Sequence, residues 1–109
     1  MRWFKNRRRA RLAKRPFADD WLAILERNVP LYRRLPQAAR DELRRHIQVF
    51  LDEKHFEGCG GLEITDEIRV TIAAQACVLL LGRRTDYYPG LYSILVYPSA
   101  YVAESSHYV

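Results

Sequence analysis

Five side chains are the natural candidates for metal binding or nucleophilic chemistry, namely His46, His55, His107, Cys59 and Cys77. A zinc site of the His-Glu-x-x-His type places two imidazoles four residues apart on one helical face, with a carboxylate between them. No two of these histidines have that spacing, and the spacing of the two cysteines matches no zinc module. We therefore predict no catalytic residue and no metal ligand within this sequence.

Cys59 lies among glycines in the segment 58–61, where a reactive thiol is one interpretation. A catalytic cysteine needs a base within hydrogen-bonding distance, and closeness in sequence to His55 does not supply one. The glycines also lack the Lys-Ser/Thr ending of a phosphate-binding loop, and Asp66 and Glu67 beyond them would repel an anion. We favour a tight turn with a small residue in it.

Positive charge is concentrated at the start of the chain. Residues 1–15 hold eight of the 18 basic residues and none of the 13 acidic ones, so the arm is basic and the rest mildly acidic. Like-charge repulsion predicts that residues 1–16 form a frayed helix or a disordered arm. Such an arm could bind a polyanion through Arg7, Arg8, Arg9 and Arg11, or could simply be a solvated tail.

The body shows helical periodicity. Apolar residues at three- and four-residue spacing predict helices over about 19–28 and 37–53. The segment 66–81 is apolar on most sides, Thr65 is a suitable N-cap before it, and Gly82 is suited to end it. We predict that this helix is buried at the centre of the fold.

Two segments favour extended structure. Residues 54–57 are a candidate short strand, and residues 91–97 are rich in β-branched and aromatic side chains. The predicted fold class is α+β, with helices around a buried central helix and a small sheet. The chain has no apolar run near the roughly 20 residues that span a bilayer, no signal peptide and no disulfide framework, which favours the cytoplasm.

Four segments together resemble the MtfA-like (Mlc titration factor A) zinc-dependent peptidases. The segment ITDEIRVTIAAQA is the most specific of them, and the order of all four matches the family. The resemblance extends from about residue 16 to residue 102. The segments are NVPLYRRLP (28–36), FLDEKHFEG (50–58), ITDEIRVTIAAQA (64–76) and YSILVYP (92–98).

The resemblance implies a zincin-like (gluzincin) metallopeptidase of the cytosol. In that family a His-Glu-x-x-His helix supplies two zinc ligands and the general base, and the named member binds the repressor Mlc. None of those catalytic residues is present in this chain. The resemblance therefore implies a truncated, amino-terminal part: a basic arm (1–16) and a scaffold region (17–109), with zinc expected only in the full-length family.

Two functions remain open at this point. As a scaffold, the chain would join the downstream catalytic part of the same protein, and Ile94 and Val96 would belong to a strand that aligns the peptide substrate. As a non-catalytic binding module, it would contact a transcriptional repressor of the Mlc type, or a polyanion through the basic arm.

Overall fold

A computed structural model describes residues 2–98 of the chain. His107 and Tyr101 lie outside the described residues. Across residues 2–98, no helix combines the length and the apolar character needed to cross a membrane. The elements in chain order are α1 (Arg2–Ala13), α2 (Asp19–Asn28), α3 (Leu31–Arg34), α4 (Gln37–Glu53), β1 (His55–Gly58), α5 (Asp66–Val78) and β2 (Ser93–Val96).

Helix α4 is the element against which the others assemble. Its observed bounds, Gln37–Glu53, confirm the helix predicted from the apolar spacing. Leu43, Ile47 and Phe50 are almost completely buried on one side of it. Helices α1 and α5 both pack against α4, so this apolar side forms the middle of the core.

Helix α5 begins as predicted but ends earlier. The hydroxyl oxygen of Thr65 accepts a hydrogen bond from the backbone N–H of Ile68 at 3.3 Å, which confirms the N-cap. The α-helix stops at Val78 because the next backbone bonds span only three residues, as from Leu80 N–H to the Cys77 carbonyl at 2.9 Å. Gly82 then turns the chain with a φ of +75°.

The expectation that α5 is buried holds for one of its faces. Val70, Ala73, Ala74 and Cys77 are fully buried, and the helix packs against both α2 and α4. On the other side Leu79, just past the end of the helix, is 65% exposed. Small residues on the buried face allow the neighbouring helices to approach closely, which explains why that face is the inner one.

The small sheet consists of β1 and β2, which run parallel with His55 opposite Ser93 and Gly58 opposite Val96. Parallel strands require a crossover connection, and α5 provides it. Phe56 and Ile94 pack against the core from the inner face of the sheet. The structure is therefore mixed helical with a two-stranded sheet, which agrees with the predicted α+β class.

The glycine segment after β1 is a tight turn, as favoured from the sequence. Gly60 and Gly61 have φ angles of +62° and +83°, which side chains disfavour. Gly58 is required for a different reason, which the sequence did not reveal. A Cβ atom there would lie 1.9 Å from the backbone carbonyl oxygen of Leu62, so the turn closes only over a glycine.

Residues 1–16 differ from the expected frayed or disordered arm. Arg2–Ala13 form helix α1, which packs against α4 and places Leu12 in the core. The physical reason is tertiary, since inward-facing arginines of α1 meet carboxylates of other elements. These contacts, which no local pattern shows, offset the repulsion among the basic side chains.

We predict that Ala74→Asp abolishes cooperative folding. The substitution buries an unpaired carboxylate between α5 and its neighbours, at a cost of several kcal/mol against a total stability of about 5–15 kcal/mol. Gln75→Asp is the matched control, because Gln75 is exposed one residue further along the same helix. Thermal melting followed by circular dichroism distinguishes the two, and similar melting curves would contradict the burial of this face.

Candidate functional site

Strand β2 has one paired edge and one open edge. The His55 N–H donates to the Tyr92 carbonyl at 2.8 Å, and the Cys59 N–H donates to the Val96 carbonyl at 2.9 Å. In a parallel pair, alternate residues turn their peptide groups toward the partner strand. Ser93 and Leu95 therefore turn theirs to the other edge, along which no strand among residues 2–98 pairs.

This geometry separates the predicted substrate-aligning residues from the residues that form the open edge. Ile94 and Val96 lie in β2, but their peptide groups pair with β1. Their side chains also face inward, with Val96 buried and Ile94 packed on the core. Leu95, by contrast, has an open peptide group and a side chain that is 52% exposed. A sequence shows alternation but not which edge is paired, so it could not distinguish these two sets.

The loop that leads into β2 is conformationally strained. Tyr87 and Tyr88 have φ angles of +56° and +55°, a region that costs non-glycine residues about 1–2 kcal/mol each. Specific contacts hold Tyr88 in place through its side chain and its backbone. The Tyr88 hydroxyl donates to the Ala76 carbonyl at 2.7 Å, and the buried Lys54 ammonium donates to the Tyr88 carbonyl at 3.1 Å. Burial lowers the pKa of Lys54.

The second anchor of this loop is a chain of polar groups that runs from Glu42 through His46 to Tyr87. The Glu42 carboxylate lies 3.0 Å from His46 Nε2 and accepts a bond from the Gly82 N–H at 3.0 Å. Burial alone would raise the pKa of Glu42, but these two hydrogen bonds outweigh it and lower that pKa. An ionised carboxylate only accepts, so Nε2 carries the hydrogen.

In the neutral imidazole with its hydrogen on Nε2, His46 Nδ1 accepts a hydrogen bond from the Tyr87 hydroxyl, and the two atoms are 2.6 Å apart. Glu42 and His46 are four residues apart on α4, a spacing that in sequence usually indicates a solvated helix face, but the His46 side chain is only 12% exposed. The ring of Tyr87 covers it from a loop that is 41 residues away in sequence. A spacing rule within α4 gives no sign of that distant partner.

Arg9 joins three parts of the molecule. Its guanidinium donates to both carboxylate oxygens of Glu53, at 2.6 and 2.9 Å, and to Asp86 at 2.7 Å. The same group lies over the ring of Tyr87, 4.8 Å from the centroid. The hydrogen bond from Arg9 lowers the pKa of Asp86. Arg9 thereby connects α1, the end of α4 and the loop that positions β2.

The four arginines predicted to bind polyanions therefore divide into two pairs. Arg8 and Arg9 are engaged within the molecule, since Arg8 donates to both oxygens of Asp52 at 2.9 and 2.7 Å. Arg7 and Arg11 are exposed, and Arg7 lies over the ring of Trp3. Polyanion binding by the arm stays a prediction, and its geometric support is confined to Arg7 and Arg11.

A cleft of about 300 Å³ separates α1 from the loop at the start of β2. Basic and acidic side chains both line it. The basic ones are Lys5, Arg8 and Lys54, and the acidic ones are Glu53 and Asp86. Such a mixed lining does not favour an anionic ligand. The cleft is better described as the gap between α1 and this loop, which the ion pairs of α1 bridge.

The described residues do not fit a zinc site. Over residues 2–98, no group of three or more histidine, cysteine, aspartate or glutamate side chains is arranged to hold a metal ion. His46 is committed to Glu42 and Tyr87, and His55 is exposed in β1. The Cys77 thiol is buried, which raises its pKa to about 12 and makes it a poor ligand or nucleophile.

Comparison with known proteins identifies the relatives of this chain. The family model of the glucose-regulated metallopeptidases M90 matches residues 3–108, which confirms the resemblance to MtfA-like peptidases. An uncharacterized protein of Synechocystis sp. is 45% identical over 94 residues, covering 86% of this chain and 34% of that relative. The chain thus spans about a third of the length of the curated relative it matches. No solved structure matches it.

We predict that Arg9→Ala destabilises the fold by about 2 kcal/mol at neutral pH, because it leaves the Glu53 carboxylate, whose side chain is only 15% exposed, without its partner. Arg7→Ala, on the exposed side of the same helix, should change stability by less than about 0.5 kcal/mol. Urea unfolding of both variants measures the difference. Equal effects would show that Arg9 does not anchor α1.

The effect of Arg9 should also depend on pH. A carboxylate with a lowered pKa stabilises the fold above its ordinary pKa, and this contribution disappears as the pH falls through the lowered value. Asp86 is such a group in the native chain, and Arg9→Ala removes the hydrogen bond that is the largest cause of its lowered pKa. The stability difference between the two proteins should therefore shrink as the pH falls below about 4. A difference that is constant over this range would contradict the Arg9–Asp86 contact.

Proposed function

Because this chain belongs to the family of glucose-regulated metallopeptidases M90, we propose that it is the amino-terminal scaffold region of a zincin-like peptidase. The observation that carries the proposal is the open edge of β2 in a chain of this family. Peptide hydrolysis is a property we assign to the longer protein. The scaffold would join the downstream catalytic part of that protein and present β2 to the substrate.

The open edge suits an extended peptide. A substrate strand that lies along β2 would form main-chain hydrogen bonds with the peptide groups of Ser93 and Leu95. Main-chain bonds hold a peptide without regard to its sequence, and neighbouring side chains add preference. Tyr97 and Leu95 are about half exposed beside this edge, so they would contact the side chains of such a peptide.

The side chains of residues 2–98 do not fit a zinc site, so we assign no step of zinc chemistry to them. We place the metal ligands and the general base in the remaining part of the longer protein. A cytoplasmic setting is part of the proposal and is supported by the two free cysteines, Cys59 and Cys77. Binding to a repressor of the Mlc type stays a prediction from the family resemblance.

A chimera tests the scaffold role directly. In it, this chain replaces the matching segment of the Synechocystis relative, to which it is 45% identical. We expect the chimera to bind zinc and to cleave peptides at a rate within about tenfold of the intact relative, whereas this chain alone should bind no stoichiometric zinc. Stoichiometric zinc binding by the 109 residues alone, or an inactive chimera that still folds and binds zinc, would contradict the proposal.

Two proline substitutions in the chimera test the substrate edge. Leu95→Pro removes an N–H that points to the open edge, a position where strands tolerate proline. We expect kcat/KM to fall by about 10-fold or more, with zinc content and melting temperature retained. Ile94→Pro is the matched control, because it removes an N–H that pairs with β1 and should lower the melting temperature.

The outcomes of Leu95→Pro distinguish three roles of the edge. Lost peptidase activity in a stable, zinc-loaded chimera supports substrate alignment. Unchanged activity would show that the substrate does not use this edge. Unfolding or zinc loss would show that β2 pairs with another strand of the longer protein, which also contradicts substrate alignment there.

A further inference from the structure

Helix α1 presents two large aromatic side chains to solvent. Trp3 is 59% exposed and Phe4 is 66% exposed, although both rings could pack against a protein interior. The two rings meet edge to face, with centroids 4.8 Å apart. The proposed scaffold function makes no use of them. An exposed aromatic pair at the end of a basic helix is a feature that a binding surface would explain.

The helical spacing divides α1 into an inner and an outer side. Arg8, Arg9 and Leu12 face α4, the two arginines through ion pairs and the leucine through burial. Trp3 and Arg7 are four residues apart, which places them on one stripe of the helix, and Lys14 lies in the turn just past the helix end at Ala13. This stripe is opposite the inner side, and Arg11 and Phe4 flank it.

The outer side of α1 carries positive charge that nothing within the helix neutralises. The helix has no acidic residue. The carboxylates nearest to it, Asp52, Glu53 and Asp86, are already bound to Arg8 and Arg9 on the inner side. Arg7, Arg11 and Lys14 are exposed, so their charges are directed to the solvent. The charge complement of this outer side is an anionic surface.

We propose that the outer side of α1, formed by Trp3, Phe4, Arg7 and Arg11 together with Lys14 just past the helix, binds the surface of an anionic lipid membrane. Tryptophan and phenylalanine enter the headgroup region of a bilayer, and lysine and arginine beside them attract anionic lipids. The helix lies on the membrane surface and does not cross it. This property goes beyond peptide hydrolysis and does not depend on it.

The arrangement of the rings favours lipid over nucleic acid. Bases bind to aromatic side chains by stacking on an open ring face. The guanidinium of Arg7 covers one face of Trp3 at 4.8 Å, and the neighbouring Phe4 packs against the same indole at an angle of 71°. Insertion into a headgroup layer needs exposed apolar surface rather than an open ring face, and both side chains are more than half exposed.

The position of α1 leaves this surface accessible in the described part of the molecule. Residues Arg8 and Arg9 meet the end of α4 at Asp52 and Glu53, and Gln48 of α4 donates to the Arg15 carbonyl at 2.9 Å. The two helices are therefore antiparallel. Trp3 and Phe4 lie before the residues that contact the last turn of α4, so they project at the end of that helix.

The test uses Trp3 as a fluorescent reporter. Trp21 is the other tryptophan, and it lies in α2, where its indole N–H donates to Asp66 of α5 at 3.3 Å. Trp21→Phe therefore leaves Trp3 as the single tryptophan, which can be excited selectively over the tyrosines. We expect the emission to shift to shorter wavelength with vesicles of phosphatidylcholine containing about one third phosphatidylglycerol, and not with phosphatidylcholine alone. The shift should decrease as salt is added, because salt screens exposed charges.

Two charge variants separate this surface from a general effect of net charge. Arg7→Gln/Arg11→Gln should weaken vesicle binding roughly thirty-fold, from about 1 kcal/mol per arginine near the membrane. Arg33→Gln/Arg34→Gln removes the same charge from α3 and should weaken binding less than about threefold. α3 lies at the start of α4, where Arg40 donates to the Tyr32 carbonyl, about 25 Å from the other end of that helix.

The aromatic contribution has its own variant. Trp3→Ser/Phe4→Ser keeps every charge and should weaken the affinity for vesicles about tenfold or more, as measured by co-sedimentation. The reason is that two apolar rings no longer enter the headgroup layer. The charge and aromatic variants alter only exposed residues, so their melting curves should match that of the chain from which they are made. If a double variant melts earlier, the single substitutions Arg7→Gln and Trp3→Ser are measured in its place, because each still removes one charge or one apolar ring.

Several results would overturn the proposal. No wavelength shift on anionic vesicles would do so, as would equal losses in the α1 and α3 charge pairs. Vesicle binding that is indifferent to Trp3→Ser/Phe4→Ser would show charge attraction without insertion. Binding to single-stranded RNA that depends on Trp3, together with no vesicle binding, would assign the surface to nucleic acid.

Discussion

The burial of one face of α5 is the constraint on which the rest of the structure depends. Ala73 and Ala74 are small enough for α2 and α4 to pack closely against that face, and Val70 and Cys77 fill the space above and below them. Because α5 is also the crossover between the two parallel strands, its position fixes where β2 can run. The open edge of β2 is therefore a consequence of helix packing.

A second level of organisation is electrostatic and joins distant parts of the chain. Arg9 binds both Glu53 and Asp86 and lies over the ring of Tyr87. Glu42 and His46 of α4 hold the loop that contains Tyr87 through the hydrogen bond between His46 and Tyr87. These contacts offset the backbone strain at Tyr87 and Tyr88. The basic helix is thus part of the support for the strand that we assign to substrate alignment.

Helix α1 combines this structural role with an outward one. Its inner arginines form ion pairs within the fold, whereas its outer side presents Trp3, Phe4 and solvent-directed positive charge. A helix of this kind can attach a protein to an anionic surface while it keeps the loop before β2 in place. The two sides are separate, so substitutions can alter one role and leave the other unchanged.

The sequence by itself determined the family, the bounds of α4, the N-cap of α5 and the α+β class, because these depend on local spacing and on segment order. Only the tertiary structure decided which residues form the open edge, why Gly58 must be a glycine, and that α1 is a docked helix. The cause is physical. Each of these features depends on contacts between groups that are far apart in the chain, such as Arg9 with Asp86 and His46 with Tyr87. Local sequence patterns do not indicate such contacts.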